Sequence, residues 1–174
     1  MLKVRMVVVF LGLAILLPAA STLFAQAATA APIPSQILTA KKVFISNAVS
    51  EIDPKIWTGG AARPYNELYA AIKIWEQYEI VATPGNADIV LQISYANPVI
   101  EVFDHCLGDC SRNSPQFRLV LLDPKTSIDL WTITEKLQEV DKNHRSLDTN
   151  LVAAIGNLVA DLKTLTVQSA TTTK

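Results

Sequence analysis

Both cysteines of the chain, one of its two histidines and two of its sixteen acidic residues fall within Asp104–Cys110, which reads DHCLGDC. Three chemistries suit such a set. Thiolates, an imidazole and carboxylates can hold a metal, with Asp104, His105, Cys106, Asp109 and Cys110 as candidate ligands. Neighbouring His105 and Cys106 point different ways in an extended chain, however, and the second ligand pair that marks zinc folds is missing. A redox site usually places two residues between its cysteines, at a helix start that stabilises a thiolate. Here there are three, among turn-forming residues. The spacing, the bend allowed by Gly108 and the turn-rich SRNSP that follows favour a small structural disulfide between Cys106 and Cys110. In so short a loop it contributes at most about 2 kcal/mol. A small metal-dependent or redox enzyme centred on this segment is the alternative.

A second stretch, WTGGAARPY, places Trp57, Gly59, Gly60 and Arg63 just before a helix expected to open near Pro64. Free backbone N–H groups at a helix start attract anions, so residues 57–65 are a candidate small-molecule or anion site. No Gly-Lys-Ser/Thr follows, and Pro64 has no N–H to offer. The plainer reading is a turn leading into the helix. His144, Ser146 and Asp148 lie in one polar run, better explained by a helix start than by a triad, and no GxSxG occurs. Trp75 and Trp131 fall on segments expected to be core. No catalytic residue is assigned, and no cofactor is expected.

The ends of the chain bear on where these groups work. Lys3 and Arg5 precede an apolar run over residues 6–17, closed by Pro18 and followed by Ala25-Gln26-Ala27. This is the pattern of a cleaved secretory signal, too short to span a bilayer. Residues 1–27 are therefore expected to be removed, leaving a periplasmic or secreted protein with no transmembrane segment. The 15 basic residues then fall to 13 against 16 acidic ones, a net charge of −3. No basic patch remains, which argues against nucleic-acid binding.

Residues 28–40, rich in Ala, Thr and Pro, read as a flexible lead-in to one globular domain over 41–166, with a frayed tail at 167–174. KKVFIS (41–46) reads as a strand. Residues 64–78 read as a helix, with Tyr65, Leu68, Ile72 and Trp75 on one face. Residues 79–83 read as a short strand. Residues 88–95 alternate, with Ile89, Leu91, Ile93 and Tyr95 on one side. Residues 117–123 and 127–134 form a hairpin turned by Pro124-Lys125-Thr126. A last helix is expected to be capped by Asp148, its stripe carried by Leu151, Ile155, Leu158, Leu162 and Leu165. The order β-α-β-β-β-β-α predicts an α+β or α/β two-layer sandwich: a mixed four- to five-stranded sheet with two helices on one face.

Ala87 and Asp88 opening a strand, followed by a hairpin with Asp123, Thr126 and Trp131 and then an amphipathic helix, resemble a pattern in small exported bacterial domains. These are similar to the N-terminal domain of TolB and related envelope lipoproteins. The resemblance spans roughly residues 41–165. It implies a two-layer domain of the envelope that binds other proteins or sits in assemblies, and it implies no catalytic residues. The expected function is a non-catalytic protein-binding or assembly module whose partner is an envelope or secreted protein.

Overall fold

The computed structural model describes residues 31–48, 57–102, 111–138 and 144–167. Its helices are α1 (Ser35–Thr39), α2 (Arg63–Trp75) and α3 (His144–Val167). Its strands are β1 (Lys42–Asn47), β2 (Glu79–Ile80), β3 (Ile89–Ala96), β4 (Val99–Val102), β5 (Ser111–Asn113), β6 (Gln116–Leu122) and β7 (Asp129–Lys136). Five of the strands form one mixed sheet in the order β2-β1-β3-β6-β7, while β4 and β5, among the described residues, pair only with each other. β1 runs parallel to β2 and β3; β6 runs antiparallel to both of its neighbours, β3 and β7.

The period-2 pattern decides which sheet face is covered. Ile89, Leu91 and Ile93 of β3 lie beside Val43 and Ile45 of β1 and across from Leu119 and Leu121 of β6, all fully or almost fully buried. Leu68 and Ile72 of α2 and Leu151, Ile155, Leu158 and Leu162 of α3 close over them in the same core. The expected two-layer α+β sandwich is the observed one. On the opposite face, Phe44, Val90 and Leu122 stand in one cross-strand row. Val90 and Val120 there are shielded although they lie outside the main core.

Several boundaries differ from the sequence expectation. The lead-in expected over residues 28–40 contains α1, and Ile37 and Ala40 are buried in the core. A five-residue helix with one apolar anchor leaves almost no periodic signal. The strand expected over 79–83 narrows to Glu79–Ile80, because a 3-10 turn at Pro84–Asn86 carries the chain back into β3. The helix expected to reach residue 78 stops at Trp75, where Glu76 adopts a left-handed conformation (φ 57°). α3 begins at His144, so Asp148 lies inside the helix rather than capping it.

β4 and β5 continue the β3–β6 hairpin. The main ladder runs from Val90↔Leu122 to Ala96↔Gln116. Past that point each strand meets a proline, Pro98 on one side and Pro115 on the other, and neither has an N–H for the ladder. The pairing resumes at Val99↔Asn113 and ends at Val102↔Ser111, with an irregularity at Ile100. β1 pairs with β3 only as far as Ile93, and β7 pairs with β6 as far as Gln116. Among the described residues the ribbon beyond the prolines therefore has no flanking strand. It is a two-stranded arm.

Candidate functional site

The acids of the Ala-Asp and Asp-x-x-Thr motifs come together at one end of the sheet. Asp88 stands just before β3, and its Oδ2 accepts the backbone N–H groups of Lys41 and Lys42, each at 2.8 Å. Asp123 opens the β6–β7 turn. Its Oδ1 accepts the Lys125 N–H at 3.0 Å and its Oδ2 accepts the Thr126 hydroxyl at 2.8 Å. Gln36 of α1 spans the two, its Nε2 donating to the Asp88 carbonyl at 2.8 Å and to Asp123 Oδ1 at 3.4 Å. The Lys41 N–H and then the Lys42 N–H hold Asp88 below the ordinary carboxylate range. The Lys125 N–H, followed by the Thr126 hydroxyl, does the same for Asp123. Gln36, Thr39, Asp88, Asp123 and Lys125 line an open cleft of about 380 Å³. Both carboxylates stay ionised and are occupied by backbone and turn donors, so their chemistry is positional: they fasten α1, β1, β3 and the turn together.

The Trp57–Tyr65 loop serves the core. Trp57 is 4% exposed. Its ring meets Tyr95 edge-on at 5.4 Å and lies 5.6 Å from Phe117. Gly59 and Gly60 take positive φ, 98° and 75°, which lets the chain turn into α2 with little strain. The Arg63 guanidinium donates to the Thr58 carbonyl at 2.7 Å and pairs with Glu67 at 3.1 Å and Asp148 at 3.4 Å. Asp148 Oδ1 also accepts the Thr58 N–H at 3.1 Å. The cation considered for an anion is thus held by two carboxylates, and Asp148 pins the loop to α3. Trp75 and Trp131 are half-buried and pack against the core.

Cys106 and Cys110, with Asp104, His105 and Asp109, lie outside the described residues. Among the described residues no group of three or more His, Cys, Asp or Glu is placed to hold a metal ion. No helix there is long and apolar enough to cross a membrane.

The feature that sequence reading passed over is the arm. Val99, Ile100 and Val102 of β4 are 55%, 57% and 70% exposed. Three large apolar side chains within four residues, on a ribbon without flanking strands, form an apolar surface on an element that is marginal by itself. Its cross-strand pair Glu101↔Arg112 adds one charge of each sign. Pro98, just before VIEV, was the available signal. A four-residue run next to a proline and a cysteine-bearing segment gives little periodicity to read.

No protein-family model matches this chain, and no curated protein does either. Several solved structures are similar to it. A PelC dodecamer from Paraburkholderia phytofirmans is 13% identical, covering 77% of this chain and 93% of that one, with a TM-score of 0.46. A putative neuraminyllactose-binding hemagglutinin homolog from Helicobacter pylori is 13% identical over 75% of this chain and 88% of that one, TM-score 0.46. The uncharacterized lipoprotein B from Nitrosomonas europaea is 13% identical over 82% of this chain and 94% of that one, TM-score 0.35. These likenesses are distant and leave the function to be read from the residues of this chain.

Proposed function

We propose that this chain is an exported, non-catalytic protein-binding or assembly module that engages its partner through the β4–β5 arm. The observation that carries the reading is the exposure of Val99, Ile100 and Val102 on a ribbon that no other strand flanks among the described residues. Fully burying such a side chain contributes roughly 1.5–3 kcal/mol, and somewhat less when it starts half-exposed. Covering all three supplies an apolar anchor of a few kcal/mol, on the order of what a contact needs at its centre. An open ribbon edge also offers unpaired N–H and C=O groups to an added strand.

Export is supported by Lys3, Arg5, the apolar run over 6–17 and Ala25-Gln26-Ala27. The resemblance to the TolB N-terminal domain and related envelope lipoproteins belongs to the same proposal, and periplasm or medium is the expected compartment. The motif residues Asp88, Asp123 and Thr126 act in this reading as fasteners of the fold, leaving the arm as the working surface.

The test compares the mature chain with a variant carrying Val99→Ser, Ile100→Ser and Val102→Ser, under mild crosslinking in envelope extract. The reading predicts that the variant keeps its fold by circular dichroism and loses the discrete adducts formed by the unaltered chain. Identical adduct patterns would overturn it.

A further inference from the structure

A recess of about 290 Å³ lies where α1, the end of α2 and the last turns of α3 come together. Ile37, Leu38 and Val167 give it apolar walls and Trp75 an aromatic one, and its polar lining comes from Gln77, Tyr78, Lys163 and Thr166. It is more apolar than the Asp88–Asp123 cleft, and its volume falls just short of the roughly 300–1,000 Å³ typical of small-molecule sites, room for a small ligand only.

Two of its polar groups are unspent. Lys163 Nζ rests 5.4 Å from the centroid of the Trp75 ring. It forms no ion pair with a carboxylate among the described residues. A lysine stem is long and flexible, so the ammonium can leave the ring face for a better partner. Tyr78 is 7% exposed, and its hydroxyl, closed off from solvent, has no hydrogen-bond partner among the described residues. Burial pushes its pKa up to about 12, so it remains a donor throughout the physiological range. Its ring already packs edge-on against Trp75 at 5.1 Å. A phenylalanine would fill the same space without a buried orphan hydroxyl, and nothing among the described residues uses that hydroxyl.

We infer that this recess binds a small organic carboxylate with an apolar or aromatic body. The body lies against Ile37, Leu38 and the Trp75 ring, the carboxylate takes the Lys163 ammonium, and a small tilt of the Tyr78 ring brings its closed-off hydroxyl in as a second donor. An inorganic anion would leave the apolar walls unused. An uncharged apolar molecule would leave Lys163 and Tyr78 unused. Neither residue belongs to the β4–β5 arm, so this site and the arm can fail separately.

The test is an NMR titration of the full mature chain with indole-3-acetate and hexanoate, following the Trp75 indole N–H, with the neutral indole-3-acetamide as control. The expected result is a saturable shift at Trp75 with either acid and at least tenfold weaker binding of the amide. Lys163→Met, which keeps the stem and removes the charge, should weaken indole-3-acetate at least tenfold. Tyr78→Phe should weaken it several-fold, and Lys163→Arg should keep most of the affinity. No shift at Trp75 with either acid at millimolar concentration would overturn the inference. So would equal binding of acid and amide, or unchanged affinity in Lys163→Met with a native spectrum.

Discussion

Ser114 donates its backbone N–H to the carbonyl oxygen of Pro98 at 2.9 Å, and that bond is the joint between sheet and arm. On the sheet side, β3 and β6 are flanked by β1 and β7; on the arm side, β4 and β5 have only each other among the described residues. The two sides should therefore differ in local stability. Amide hydrogen exchange should show Val102 and Arg112 opening in local events, while Leu91 and Leu119 exchange only on global unfolding. Equal protection across the joint would mean that the arm is part of the cooperative core.

Asp88 and Asp123 should shape the acid limb of stability. The folded-state pKa of each is lowered, by backbone N–H bonds first. Their contribution is present in full above the unfolded-state value, about 3.9 for an aspartate. It is lost as pH falls through the lower folded-state value. Asp88→Asn and Asp123→Asn should each lower stability near neutral pH and flatten its dependence below about pH 4. For Asp88, an exposed group, the expected loss is about 1 kcal/mol. Urea titrations at a series of pH values read both effects.

Asp148 holds the Trp57 loop from α3, by accepting the Thr58 N–H and facing Arg63. Asp148→Ala should cost about 1–2 kcal/mol. It should also loosen Trp57 from Tyr95 and Phe117, seen as a loss of near-ultraviolet circular dichroism before the far-ultraviolet signal changes. Were Asp148 only a helix cap, α3 helicity would fall and the aromatic signal would persist.

Glu76 ends α2 in a left-handed conformation that costs an L-residue more than a glycine. Glu76→Gly should raise stability by about 0.5–1 kcal/mol in thermal melts. A loss instead would mean that the Glu76 side chain contributes more than its backbone strain costs.

The parts of this fold that show in the sequence are those whose periodicity is long and clean. Ile89-x-Leu91-x-Ile93 announces β3, and the spacings of Leu68 with Ile72 and of Leu151, Ile155, Leu158 and Leu162 announce the helices that cover it. Asp123-Pro124 announces the turn. Elements fixed by tertiary contact stay hidden. α1 is too short to repeat, so its Ile37 reads as one apolar residue in a lead-in. Asp148 looks like a cap because its partners, Thr58 in a distant loop and Arg63 at the start of α2, are far from it in the sequence. Trp57 looks like a loop residue free to meet a ligand, and only the placement of Tyr95 and Phe117 makes it core. The arm escaped notice because exposure of Val99, Ile100 and Val102 depends on strands that stop short of them, which no local pattern records.

The most direct test of the arm as a binding surface is site-specific photo-crosslinking in the cells that export the protein. A photoreactive residue is placed at Ile100 on the arm or, as a control, at Ile74, which is exposed on α2. The account predicts discrete higher-mass adducts from position 100 and none from position 74. No adduct at position 100, or the same adducts from both positions, would contradict it.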